Sequence, residues 1–280
     1  MLRKTLVLFC AALVCASCLK DSTSDETYYF IDAADTEGIE LFLTTHKVIE
    51  GEYGPELELT DPSDPNNMWN TRRTQALTEN TPYEDLIGRA FEDTTQVKMI
   101  TQAGDTVPVP AGVWVYINKR GYSTNRPTDS SAVLVTYTGT LLNEQQFTIA
   151  PIGSTIYLYS DNIVGFRLGV KYLEPGHLVT ETVTPEPDED GTEYPPYDQD
   201  VWKDGGQGWV IIPSKVGYGN LLASDVPPNS VLIFNIDLLS VAYYPTVESG
   251  NAGQTVSLGH KTTAWINTPP AGKTVKQAVK

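Results

Sequence analysis

The chain has 280 residues, 40% apolar and 19% charged, with 19 basic against 35 acidic side chains and a formal charge of −16. The apolar share supports a core and argues against disorder throughout, and the length allows one large or two ordinary domains. The acidic balance argues against nucleic acid or an anionic membrane face as the main partner, because phosphates are met by basic surface.

Arg3 and Lys4 precede an apolar run of 10 residues, Thr5 to Val14. That run is too short to cross a hydrocarbon core of ~30 Å as a helix and suits the apolar centre of an export signal over residues 1–17. The cysteines are Cys10, Cys15 and Cys18. Cleavage before Cys18 leaves one cysteine, at the first mature position, with no disulfide, Cys-ligated zinc or internal catalytic thiol. The segment resembles a bacterial lipoprotein signal peptide, although Cys15 stands where that family usually has Leu. The resemblance implies lipid on Cys18 and an anchor in a bacterial envelope membrane, the outer membrane being expected, on its periplasmic or surface face. A secretory signal with a free N-terminal cysteine is the alternative. Residues 18–27 read as a tether, and the acidic run Asp21 to Glu26 is similar to the surface-export signal of Bacteroidetes lipoproteins.

Residues 28–108 carry no chemical motif and no pattern that assigns a fold. Tyr28 to Ile31 is an apolar cluster, and Ile39 to Ile49 a second, partly helical one. Asp61 to Asn70 is loop from its Pro, Asp and Asn content. Tyr83 to Phe91 has near-helical spacing and predicts a short helix; Val97 to Ile100 predicts a strand. His46, beside Lys47, reads as an exposed histidine without ligand or base duty.

From residue 112 the texture changes. Val113 to Ile117 predicts a strand, Val133 to Gly139 alternates with period two, and Phe147 to Ile149 and Thr155 to Tyr159 predict two further strands. Ile163, Phe166, Val170 and Leu173 share a helix face, with Asp161 the expected N-cap and Pro175-Gly176 the stop. Trp209 to Ile212 and Val231 to Leu239 complete the strands. One short helix among antiparallel strands indicates an α+β domain over 109–242, its sheet wrapped on the helix. Residues 180–204 hold nine acids against one Lys, with four prolines, which predicts a protruding acidic insertion. Residues 243–280, with four Lys and one Glu, read as a loosely ordered tail. Loss of Arg3 and Lys4 with the signal takes the charge from −16 to −18, of which the insertion holds a net −8.

Four blocks occur in order: Val135-Thr-Tyr-Thr-Gly-Thr-Leu141 with Phe147; Asn162-Ile-Val-Gly-Phe166; Ile211-Ile-Pro-Ser-Lys-Val-Gly-Tyr-Gly219; and Val226-Pro-Pro-Asn-Ser-Val-Leu-Ile-Phe-Asn-Ile-Asp-Leu-Leu239. Together they resemble the FKBP-type peptidyl-prolyl cis-trans isomerase domain; Gly121 to Pro127 is also similar to an early loop of that family. The resemblance implies a proline pocket lined by Tyr137, Phe147, Phe166 and Phe234. It gives Ile163 a packing role and a backbone N–H for a substrate carbonyl, and Tyr218 a hydroxyl for the carbonyl beside the proline. Thr148, Asn162, Val226 and Pro227 would form the rim. Phe166 stands where the family often has Trp, Thr148 where it commonly has Asp, and Asn162 where it has Val. A strand phenylalanine of the family has Tyr157 or Tyr159 as its candidates here.

The implied activity is isomerisation of X-Pro bonds in polypeptides, a membrane-anchored folding-helper function outside the cytoplasm that needs no cofactor. No metal, nucleotide or flavin signature is present. His46, His177 and His260 are dispersed, and the acids between Glu186 and Gly191 lack calcium-loop spacing. Two alternatives stay open: a catalytically degenerate binding or chaperone module, and a surface lipoprotein that binds a partner through the N-terminal region and the acidic loop, with Tyr194, Tyr197 and Trp202 as a contact patch.

Overall fold

The computed structural model describes residues 24–51, 54–100, 105–159 and 163–243. The expected export signal, Cys18, Asp161, Asn162 and the tail from Tyr244 onward lie outside the described residues.

The centre is a six-stranded antiparallel sheet ordered β3-β6-β11-β12-β7-β8. These strands are β3 (Ala90–Asp93), β6 (Val113–Lys119), β7 (Ser131–Leu141), β8 (Gln146–Tyr157), β11 (Gly206–Ile212) and β12 (Leu232–Tyr243). Period-two alternation sends successive side chains to opposite faces. Val113, Val115, Ile117, Val210, Ile212, Leu232, Phe234, Ile236 and Leu238 face one way, into the larger core with helix α2 (Val164–Val170). Trp209, Ile211, Val231 and Ile233 face the other way. With two helices packed on an antiparallel sheet the α+β expectation is met, although the expected single short helix is joined by a longer one, α1 (Ser24–Thr45).

The rear face is covered by helix α1 (Ser24–Thr45) and by the loop around Met68. Asp35, Ile39, Phe42, Leu43 and His46 are all buried, at spacings that put them on one side of a helix. Ile39, Phe42 and Leu43 meet Met68, Trp209, Ile211 and Ile233 in a second core. His46 is therefore buried, not exposed: it stacks on Phe42 at 4.0 Å and its Nδ1 lies 2.8 Å from the Phe42 carbonyl. The loop 61–70 is pinned by Asn67, whose amide donates to the carbonyls of Thr44 and Pro62.

Three two-stranded ribbons decorate this frame: β1 (His46–Gly51) with β2 (Gly54–Leu59), β4 (Gln96–Ile100) with β5 (Thr106–Pro110), and β9 (His177–Val183) with β10 (Tyr197–Lys203). The last corrects the reading of 180–204 as loop. Its flanks pair in register, and Thr180 and Thr182 donate to Asp200 and Asp198 across the ribbon at 2.6 and 2.7 Å. Cross-strand hydroxyl–carboxylate bonds support a ribbon without a core beneath it. Residues 184–196 keep the expected loop character.

Three further expectations change. Tyr83 to Phe91 is a single 3-10 turn, Tyr83–Leu86, followed by β3, because Phe91 is drawn into the sheet core against β6. The two strands expected over 147–159 are one bulged strand, β8. The helix expected over 163–173 is α2 alone. It starts after Ile163, with no side-chain cap bond there, and tightens into i→i+3 bonds at Tyr172 and Leu173. Gly165 and Gly169 set its height over the sheet: a Cβ at either would stand 2.2 Å from Ile212 or Val210.

Candidate functional site

Four aromatic rings converge beside α2: Tyr137 from β7, Phe147 from β8, Phe166 from α2 itself and Phe234 from β12. Phe234 is the hub. Its ring centroid lies 5.2 Å from Phe166, 5.6 Å from Phe147 and 5.7 Å from Tyr137, and Tyr137 lies 6.0 Å from Phe166. All four pairs meet edge-on, between 68° and 86°. That is the arrangement the ring quadrupole favours, and each pair contributes about 0.5–1.5 kcal/mol beyond its buried area. Phe166 and Phe234 are buried, at 3% and 5% exposure. Tyr137 and Phe147 are half-buried and pack against the same core.

Backbone irregularity aims Phe147. Gly139 pairs with Thr148 while its neighbour Thr140 pairs with Gln146, so Phe147 is the extra residue of a β-bulge. A bulge turns a side chain off the regular alternation, and both Phe147 and Thr148 reach the face shared by Gly139 and Phe234. A Cβ on Gly139 would stand 2.5 Å from Thr148 Cγ2, 2.8 Å from Phe147 Cζ and 3.0 Å from Phe234 Cε1. Gly139 was missed as a site residue in the sequence. The available signal was a glycine inside a strand, which often marks a bulge or a close approach.

The other expected residues come from the position just before α2 and from one long connection. Ile163, half-buried against the core, stands directly before the first turn of α2, where helix N–H groups lack intrahelical acceptors. Tyr218, also half-buried, follows the 3-10 turn Ser214–Val216. The carbonyl of Ser214 accepts from Gly217 and Gly219, on either side of Tyr218, at 3.0 and 2.8 Å. Beyond it, Leu221 and Leu222 are 66% and 75% exposed. The chain turns back through paired bonds between Ala223 and Val226, and Asn229 N–H donates to Gly219 at 2.6 Å. Val226 is buried and Pro227 exposed at this edge.

Of the expected residues, the structure thus gathers Tyr137, Phe147, Phe166 and Phe234 into one cluster with Thr148 beside it, and sets Ile163, Tyr218 and Val226 on the same core. Asn162 and Cys18 lie outside the described residues. Tyr157 and Tyr159 meet edge-on at 5.7 Å on the exposed surface. A separate open cleft of about 640 Å³ is lined by Thr124 to Thr128, Lys171 and Tyr172, and none of the expected site residues lines it.

The cluster carries no formal charge at neutral pH, and no nucleophile–base pair is assembled among its side chains. It is an apolar cluster, and Tyr218 packs on the same core.

No protein-family model matches the chain. Over 133 residues, 47% of this chain and 41% of the relative, it is 29% identical to the FKBP-type peptidyl-prolyl cis-trans isomerase FkpA of Buchnera aphidicola from Schizaphis graminum. Over 147 residues it is 24% identical to FkpA of Buchnera aphidicola from Baizongia pistaciae. The chain spans under half the length of these curated relatives. Among solved structures, FkpA of Escherichia coli aligns at TM-score 0.35 and 24% identity, covering 48% of this chain and 50% of that one. A peptidyl-prolyl cis-trans isomerase of Pseudomonas syringae aligns at TM-score 0.35 and 20% identity, covering 47% and 76%. The sequence similarity to FkpA supports an FKBP-type domain within the chain.

Proposed function

We propose that the protein is a peptidyl-prolyl cis-trans isomerase that assists folding. The observation that carries this reading is the edge-on aromatic cluster centred on Phe234, joined to the sequence similarity with FkpA. A peptide bond resists rotation by ~18–20 kcal/mol through C–N resonance, and an X-Pro bond isomerises uncatalysed over tens to hundreds of seconds. At the twisted transition state that resonance is lost and the amide is less polar. No proton need move and no covalent intermediate need form. An apolar cup that holds the proline ring favours the twisted amide over the planar one. Phe166 and Phe234 would floor that cup, Tyr137 and Phe147 wall it, and the Ile163 N–H and Tyr218 hydroxyl hold the flanking carbonyls. Tenfold acceleration needs only ~1.4 kcal/mol, within reach of a few such contacts. The exposed Leu221 and Leu222 would extend the surface toward residues flanking the proline of an unfolded polypeptide.

The test is an isomerisation assay with a proline peptide on residues 19–280, with Tyr218→Phe and Phe234→Ala as controls. Rates at the uncatalysed level, with proline-peptide binding retained, would replace the enzyme with a binding module. Thr148 favours that second reading, since it places a hydroxyl where the family commonly has a carboxylate.

We further propose that Cys18 carries lipid and anchors the protein to the outer membrane of a bacterial envelope. The Arg3-Lys4 start, the apolar run and the single remaining cysteine support this. Cys18→Ala is expected to move the protein from the membrane fraction to the soluble one; unchanged membrane retention would refute the lipid anchor.

A further inference from the structure

Asp35 of α1 precedes Ser214 by 179 residues, yet its Oδ2 accepts from both the Ser214 backbone N–H at 2.7 Å and the Ser214 hydroxyl at 2.6 Å. Both residues are buried. Ser214 is also the residue whose carbonyl accepts from Gly217 and Gly219, on either side of Tyr218. Its donors therefore face α1 while its acceptor organises the Tyr218 turn. A second tie lies alongside: Lys215 Nζ, on a side chain only 7% exposed, donates to Asp32 of α1 at 2.7 Å. Glu92 of β3 also faces Lys215 electrostatically.

Burial pushes the Asp35 carboxyl above its usual range, while the two Ser214 bonds oppose that shift. A desolvated carboxylate costs stability unless hydrogen bonds compensate it. Here they order the turn that leads into Tyr218. We propose that Asp35 is a positioning residue for Tyr218: through Ser214 it locks the 3-10 turn that leads into Tyr218, which packs on the core shared with Phe166 and Phe234. The catalytic meaning of this role rests on the isomerase reading; the locking of the turn does not.

The test uses the full chain as wild type, Asp35→Ala, Asp35→Asn, Tyr218→Phe and the double variant Asp35→Ala/Tyr218→Phe. Two readouts are taken: kcat/KM on a proline peptide and residue-resolved amide hydrogen exchange. Asp35→Ala is expected to lower kcat/KM about tenfold, and Asp35→Asn, which keeps an acceptor, to restore part of it. In the Tyr218→Phe background the same Ala change is expected to cost less than about twofold, since residues acting through one group are non-additive. Exchange at Gly217 and Gly219 is expected to quicken while the β11–β12 ladder at Val210 and Phe234 stays protected. An undiminished cost in the Tyr218→Phe background overturns the proposal. So does exchange that quickens across the whole sheet, or nowhere. If the wild type does not catalyse at all, the isomerase reading fails by itself, and the exchange pattern alone decides whether Asp35 locks the turn.

Discussion

Gly139 and Phe147 meet across the bulge of β8 so closely that a methyl group on Gly139 would stand 2.8 Å from the Phe147 ring. The same methyl would crowd Thr148 and Phe234. The cluster therefore depends on a missing side chain as much as on the rings present. Gly139→Ala is expected to destabilise the protein by about 1–3 kcal/mol, the usual cost of overpacking, and to weaken proline-peptide binding. Urea unfolding and a peptide titration check both; unchanged affinity would show that the wall at Gly139 is not part of the binding surface.

Phe234 touches three rings and is almost wholly buried. Phe234→Ala removes that hub, and large-to-small changes of buried aromatics cost about 3–5 kcal/mol. Phe234→Leu keeps more volume and loses only the ring geometry. The Leu variant is expected to stay folded, by circular dichroism and urea unfolding, while its isomerase rate falls at least several-fold. Equal rates for Leu and Phe would mean that bulk, not aromatic character, suffices at this position.

The rear face of the sheet makes the N-terminal segment more than a spacer. Deleting residues 1–108 removes β3 and exposes Trp209, Ile211, Val231 and Ile233, now covered by α1 and Met68. Uncovered apolar area of this kind weakens the fold by roughly 25 cal/mol per Å² and promotes association. Residues 109–280 are expected to aggregate or bind a hydrophobic dye strongly, with sharply lowered thermal stability. A monomeric, dye-silent fragment of full stability would contradict this packing account.

Asp237 sits on β12 opposite Gln207, which donates to its Oδ2 at 3.0 Å, while Oδ1 has no hydrogen-bond partner. Burial is the main cause that raises its carboxyl above the ordinary Asp range; the Gln207 bond and nearby Lys119 oppose it. Between the ordinary value and the raised one, the folded protein binds more protons at this site than the unfolded chain. Stability from this group is thus fully present below the ordinary Asp value and is lost as pH rises through the folded value. The melting temperature of wild type relative to Asp237→Asn is expected to rise as pH falls from 7 to 4. A pH-independent difference would remove Asp237 from the account.

The sequence exposed the parts of this molecule whose signal is local. Alternation in Val133 to Gly139 and Leu232 to Leu238 located β7 and β12, and helical spacing of Ile163, Phe166 and Val170 located α2. What stayed hidden depends on tertiary partners. Phe91 belongs to a strand only because β6 lies beside it. His46 is buried only because α1 continues to Thr45 and lies on the sheet. The β9–β10 ribbon was masked by its charge, since Thr180 and Thr182 find Asp200 and Asp198 only once the strands pair. In the site, the aromatic residues were legible from the ordered blocks. Gly139 and Asp35 were not, because their roles are to vacate space and to hold a turn 179 residues away, and neither has a local pattern.

The central claim is that the cluster around Phe234 turns X-Pro bonds. Exchange spectroscopy of a proline peptide, with the protein at a small fraction of the peptide concentration, measures this directly from cis–trans cross-peaks. Rapid exchange is expected with wild type, strongly reduced with Phe234→Leu and Tyr218→Phe. Absence of exchange above the uncatalysed rate, with the wild-type protein shown to be folded, would contradict the claim.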